Sequence, residues 1–132
     1  MIEDPECARV QEFRDKFNMP IADRPCLADF AAVKDRLDHL REELDELEHG
    51  VFHRDLPKKT DALIDLVYVA KGLALMMGLG SAWKELFDDV HEANMRKIPG
   101  ISARGQAHDV IKPEDWVGPK TEEILKAHGW MP

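Results

Sequence analysis

At 132 residues, with 18 basic against 26 acidic side chains and a net charge of −8, the chain is sized for one domain (1–132) with one core, and its charge argues against a general nucleic-acid binder, which needs a basic face. Apolar residues at 44% and charged residues at 33% describe an ordinary globular protein and exclude a fibrous, low-complexity or disordered one. The opening Met1-Ile2-Glu3-Asp4-Pro5-Glu6 is acidic and has no apolar h-region, and the longest mostly apolar run, Ala62 to Leu79, is broken by Asp65 and Lys71. No signal peptide and no membrane span are therefore expected. Cys7 and Cys26 stand in no metal-ligand spacing, so reduced thiols and a cytoplasmic location are expected.

In chain order, Asp4-Pro5 followed by Glu6 predicts a helix start, with Val10, Phe13 and Phe17 on one face and an end near Asn18. Pro20 and Pro25 make the next stretch a loop. A second helix is predicted from about Ala28 to His49, stopped by Gly50, and a link from Val51 to Leu56 leads to Pro57 in the first turn of a third. This third helix, ending at Gly78-Leu79-Gly80, is apolar almost all round and is expected to be the most buried. Ser81 is expected to cap a fourth, whose inner face would use Trp83, Leu86, Phe87 and Val90, and which Ile98-Pro99-Gly100 would stop. Pro99 to Pro119 reads as a long loop with Trp116 as its anchor, and a last short helix runs from about Thr121 to His128. The expected fold is all-α: a bundle of four to five helices with a long C-terminal loop.

Two acidic stretches carry the chemistry. At about 3.6 residues per turn, Glu42, Glu43 and Glu46 share one side of the second helix, flanking a stripe of Leu37, Leu40, Leu44 and Leu47, with Arg36 and His39 up the same side. On the third helix Asp61 and Asp65 share a strip that continues to Tyr68. If the two helices pack antiparallel through their apolar stripes, the acidic flanks face each other. Like charges brought that close raise one another's pKa unless a cation neutralises them, and Mg²⁺ prefers such oxygen donors. The alternative is a solvated acidic face, the usual fate of such stretches. Asp65 on an apolar helix calls for a cationic partner or a metal.

Histidine offers little: only His49 and His53 are four apart, and Gly50 between them should end the helix that a zinc pair needs. There is no Walker A loop, G-x-G-x-x-G or G-x-S-x-G. What remains is carboxylates with a late cluster of Asn94, Arg96, Lys97 and Lys112, a combination suited to metal-assisted phosphate chemistry.

Together these segments resemble the all-α nucleoside triphosphate pyrophosphohydrolases, the MazG-like group that includes the dimeric dUTPases. Glu42-Glu43-Leu44-Asp45-Glu46 matches the group's E-E-x-x-E, and Asp61-Ala62-Leu63-Ile64-Asp65-Leu66-Val67-Tyr68 is similar to its second acidic motif. His91-Glu92-Ala93-Asn94-Met95-Arg96-Lys97 resembles a segment of a branch labelled phosphoribosyl-ATP pyrophosphohydrolase-like. The resemblance implies Mg²⁺, or Mn²⁺ in its place, on Glu43, Glu46 and Asp65, and Asp61, which shares a helical strip with Asp65, is expected to stand in for the acid missing at Ala62. The resemblance also implies that Glu42 acts on the attacking water alongside Glu43, and that Asn94, Lys97 and Lys112 contact phosphates. The implied reaction cleaves a (d)NTP between the α- and β-phosphates, in a homodimer or homotetramer. Two departures stand out: Ala62 occupies a position commonly Glu, and Ala107-His108-Asp109 stands where the branch tends to have D-G-K. Phe13, Phe17, Asn18 and Trp116 are candidates for the base, although such aromatics are more often core. A helical nucleotide-binding or regulatory protein without turnover, and a purely structural bundle, are the competing readings.

Overall fold

The computed structural model describes residues 1–106 and 108–132; Ala107, one of the departures just named, lies outside the described residues. Three helices begin with an aspartate cap of the expected kind. The Asp4 carboxylate accepts from the Cys7 N–H at 2.7 Å to open α1 (Pro5–Lys16). Asp29 does the same for the Ala32 N–H to open α2 (Phe30–Phe52), and Asp55 for the Lys58 N–H to open α3 (Leu56–Met76). They are followed by α4 (Trp83–Met95), β1 (Ile98–Gly100), β2 (Asp109–Ile111) and α5 (Thr121–Ala127). The architecture is all-α, apart from the antiparallel two-stranded ribbon in which Ile98 pairs with Ile111 and Gly100 with Asp109.

Packing centres on α3, which lies against α2 along one side and α1 along another, while α5 packs on α4. The core gathers on its second half: Val69, Ala74, Leu75 and Met76, with Cys7 and Val10 of α1. The loop between α1 and α2 is sewn to the same end, since the Ala22 N–H donates to the Leu75 carbonyl at 3.0 Å and the Cys26 N–H to that of Met77 at 2.9 Å. Gly78, at φ +68°, lets this loop approach; a Cβ there would meet the Arg24 carbonyl oxygen at 1.9 Å. The N-terminal segment is fastened by an ion triad in which buried Lys71 Nζ lies 2.7 Å from Asp4 Oδ2 and 2.8 Å from Glu6 Oε2.

Several expectations are corrected. Gly50 does not stop the second helix: α2 continues to Phe52, and Gly50 is buried where α3 starts, a Cβ there meeting the Lys59 backbone nitrogen at 2.9 Å. Its missing side chain serves helix packing, not termination. The link is accordingly only His53–Asp55, short enough to turn α3 back antiparallel on α2. His49 and His53 therefore do meet, their rings stacked 3.9 Å apart. Ser81 does not cap α4; Ala82 is the N-cap and no side chain closes that end. Pro99, placed in a loop, pairs with Val110 inside the ribbon.

The burial of the first half of α3 and of the face of α4 is also less than their apolar patterns predict. Leu63 and Ile64 are more than half exposed, as is Phe87 at 63%, and Leu37 and Leu44 of the α2 stripe are open as well. The chain exposes 9641 Å². A folded monomer of its 15.1 kDa would expose about 7,100 Å² by the usual scaling of surface with mass, roughly a quarter less. No described helix is long and apolar enough to cross a membrane.

Candidate active site

The acidic side of the site stands on the α2–α3 hairpin, held in register by the close approach at Gly50. Glu43 and Glu46 come from α2, Asp61 and Asp65 from the facing helix, and all belong to the half of the hairpin nearest the turn. Glu43 is partly buried, its side chain 16% exposed, whereas Glu42, Glu46, Asp61 and Asp65 are exposed. The exposure of Asp65 overturns the argument from burial: water solvates its carboxylate, so the chain itself demands no cation there. Ala62, the departure noted in the second acidic stretch, is buried at 2%.

Among the described residues, Glu43 is the one of these acids with a side-chain ion-pair partner. His39 Nε2 approaches Glu43 Oε1 at 3.2 Å, and Arg36 Nη1 lies 3.4 Å from His39 Nδ1. An arginine can only donate, so His39 accepts at Nδ1 and, in that tautomer, presents its Nε2–H to Glu43. Arg36, His39 and Glu43 thus form a chain along one helical strip that fixes the carboxylate. Their i, i+3 and i, i+4 spacing was the sequence signal for it, but a lone helical histidine does not announce a partner.

The donor chemistry suits a hard cation such as Mg²⁺, which binds oxygen and is commonly held by one or two carboxylates plus substrate phosphates instead of an all-protein cage. No three His, Cys, Asp or Glu side chains among the described residues converge closely enough to form such a cage. The hairpin therefore sets out the four acids on facing helices as a partial donor set, not the small closed cluster that the spacing suggested.

The cationic candidates lie on other elements, where α4 ends and the ribbon begins, and no described pocket joins them to the four acids. Asn94 is exposed in the last turn of α4, and its carbonyl accepts from the Lys97 N–H at 3.1 Å. Lys97 immediately precedes β1 and Lys112 immediately follows β2. Trp116 is the anchor that the sequence suggested: its indole Nε1–H donates to the Ala93 carbonyl at 2.7 Å, and Arg96 Nη2 donates to the Val117 carbonyl at 3.1 Å. The Lys97 and Lys112 ammonium groups lie 5.5 and 4.8 Å from the Trp116 ring centroid. Asp109, in the D-G-K position, is turned to Arg104 at 2.6 Å, whose guanidinium holds its carboxyl well below the usual range.

Of the other aromatic candidates, Phe13 meets Phe17 at 4.9 Å and Tyr68 at 5.5 Å between ring centroids, one turn along α3 from Asp65. The cluster is partly exposed, not core. Asn18 follows it in a left-handed turn at φ 52°.

The family model for phosphoribosyl-ATP pyrophosphohydrolase matches residues 10–94, a span that includes both acidic stretches and Asn94 but ends before Lys97, Lys112 and Trp116. No curated protein matches the chain. With well over half of its length matched, and with the all-α hairpin carrying the acids in the expected order, the chain belongs to the phosphoribosyl-ATP pyrophosphohydrolase family, a family of pyrophosphohydrolases.

Proposed function

We propose that the protein hydrolyses a (deoxy)nucleoside triphosphate between its α- and β-phosphates, releasing the monophosphate and pyrophosphate, with Mg²⁺ or Mn²⁺ as cofactor. The observation that carries this reading is the α2–α3 hairpin: it sets Glu43 and Glu46 on one helix and Asp61 and Asp65 on its antiparallel neighbour, within the family-matched span. These four would hold the cation together with substrate oxygens. When bound, it would neutralise phosphate charge and acidify the attacking water. Glu43, steadied by His39, presents one fixed carboxylate. Exposed Glu42, on the same helix, is free to take a proton from water. Asn94, Lys97 and Lys112 supply donors to phosphate oxygens.

The same chemistry applies to phosphoribosyl-ATP, the substrate in the family's name, and both substrates belong in one test. We further place the protein in the cytoplasm as a homodimer or homotetramer. Its surface excess and the open apolar residues of α2, α3 and α4 support self-association, because large exposed apolar areas mark interaction surfaces.

The decisive experiment is pyrophosphate release from a panel of canonical and modified (d)NTPs and phosphoribosyl-ATP with Mg²⁺ or Mn²⁺, alongside Glu43→Gln. Release that disappears in the variant is the expected result; full activity in Glu43→Gln would sink the site. Buried Ala62 favours a second reading, nucleotide binding without turnover, because it removes one acid from the facing helix. That reading requires nucleotide binding with no release from any substrate.

A further inference from the structure

The register of the ribbon has a consequence for its two flanking lysines. Ile98 pairs with Ile111 at one end of the ribbon, so Lys97 and Lys112 flank that last pair, one position beyond the ladder. Residues directly opposite across an antiparallel pair have Cβ atoms about 4.5–5.5 Å apart, and like charges there repel. The chain nonetheless holds both ammonium groups on one ring, within 5.5 and 4.8 Å of its centroid. An aromatic face attracts cations through its quadrupole and so offsets part of the repulsion. It uses none of the N–H donors, which remain available to an anion.

We propose that Trp116 is a positioning residue, whose ring holds Lys97 and Lys112 as a two-pronged clamp for the oxygens of a condensed phosphate, either free pyrophosphate or the tail of a nucleotide. The inference rests on the phosphate-binding reading above and adds the device that sets the lysines. Trp116 is itself fixed from two directions. Its indole N–H is bonded to the Ala93 carbonyl on the last full turn of α4, and its backbone N–H to the Pro113 carbonyl at 3.0 Å in the turn after β2. The ring therefore couples the end of a helix to a ribbon, and the clamp's width follows from that coupling. The clamp uses no residue of the acidic hairpin, so it binds condensed phosphate without metal.

The test is calorimetric titration of inorganic pyrophosphate, then of a non-hydrolysable nucleoside triphosphate analogue, in metal-free buffer. It compares the wild type with Lys97→Gln, Lys112→Gln, Trp116→Leu, Trp116→Phe and Glu48→Gln. Each lysine variant and Trp116→Leu should weaken pyrophosphate binding about tenfold, the scale of one charged hydrogen bond. Trp116→Phe, which keeps a ring face, should stay close to wild type, and Glu48→Gln should be unchanged. A tight response to the analogue alone would assign the clamp to the nucleotide tail; a response to both would assign it to condensed phosphate generally.

A purely structural role for Trp116 is separated by NMR. The ε-methylene protons of Lys97 and Lys112 should be shifted upfield by the ring, keep that shift in Trp116→Phe, lose it in Trp116→Leu, and move on adding pyrophosphate. If Trp116→Leu does not fold, Trp116→Phe decides: retained upfield shifts and retained binding support the clamp, and binding lost while the shifts persist overturns it. The clamp is also overturned if neither ligand binds the wild type without metal, or if Trp116→Leu binds as the wild type does. Turnover keeps the two readings apart. Lysine- and Trp116-dependent binding with no hydrolysis of any substrate retires the hydrolase reading alone, whereas hydrolysis lost in Glu43→Gln with binding indifferent to Trp116 retires the clamp alone.

Discussion

On the α2–α3 hairpin the acids stand on facing helices and, Glu43 apart, form no hydrogen bond or ion pair with another side chain among the described residues, whereas at the end of α4 the cations are drawn onto one ring that is itself pinned by hydrogen bonds. The first region is organised mainly by helix packing, with the Arg36–His39–Glu43 chain as its side-chain tether. Its backbone is helical, and its carboxylates other than Glu43 stand exposed to solvent. The second is organised by side-chain tethers, because a three-residue ribbon has too little packing of its own to hold two lysines in place. An exposed donor set suits a cation that enters with its substrate, and a preset clamp suits an anion whose binding must not require ordering two long side chains first.

The sharpest way to break the contrast is on the acidic side. Glu43→Gln and Asp65→Asn should each lower turnover by more than about 100-fold, beyond the usual cost of losing an outer partner, while leaving the circular dichroism spectrum intact. Glu48→Gln should be nearly silent. His39→Ala removes the one partner that fixes Glu43 and should cost about 10–100-fold in kcat/KM, the range for outer-shell residues; an unchanged value would show that Glu43 needs no support.

The packing that carries the acids is tested by Gly50→Val, whose side chain must push against the Lys59 backbone. Overpacking of this kind should destabilise the fold by about 1–3 kcal/mol, read from urea denaturation.

A smaller effect concerns the ion triad at the other end of α3. Partial burial pushes the Asp4 carboxyl up, but bonds from Lys71 and the Cys7 N–H outweigh it, leaving its pKa below the ordinary 3.8. Burial pushes Lys71 down, and its bonds to Asp4 and Glu6 raise it above 10.5. A depressed carboxyl stabilises above its unfolded pKa and loses that contribution as pH falls through the folded value. A raised lysine stabilises below its unfolded pKa and loses it as pH rises through the folded one. The stability gap between wild type and Lys71→Met should thus be widest between pH 3.8 and 10.5 and close at both extremes. The slightest perturbation is chemical: with burial and Asp4 pushing the Cys7 thiol up to about 12, a thiol reagent at neutral pH should modify exposed Cys26 and leave Cys7 untouched until the chain unfolds.

Much of this was legible in the residues. The aspartate caps at Asp4, Asp29 and Asp55 and the proline after the first and third mark helix starts by local hydrogen bonding, which sequence specifies directly. Gly50 misled because a glycine in sequence signals equally a helix end or a close approach, and only the position of Lys59 separates the two. The ribbon was missed because three-residue strands containing Pro99 and Gly100 have no alternation to read; their pairing is a long-range event. The apolar face of α4 was legible as a face, but Phe87 shows that periodicity says which residues seek burial and not whether this chain alone provides it.

Sequence by itself therefore determined the all-α class, most helix boundaries and Trp116 as an anchor, and it named the acids and lysines as candidates, because each follows from spacing along one element or from the chemistry of a single residue. Only the tertiary structure decided that Asp65 is solvated, that His39 braces Glu43, that Lys97 and Lys112 meet over one ring, and that the four acids stop short of a closed cage. Those facts depend on how separate elements approach one another, and that approach is set by side-chain volume and long-range pairing, which no local pattern encodes.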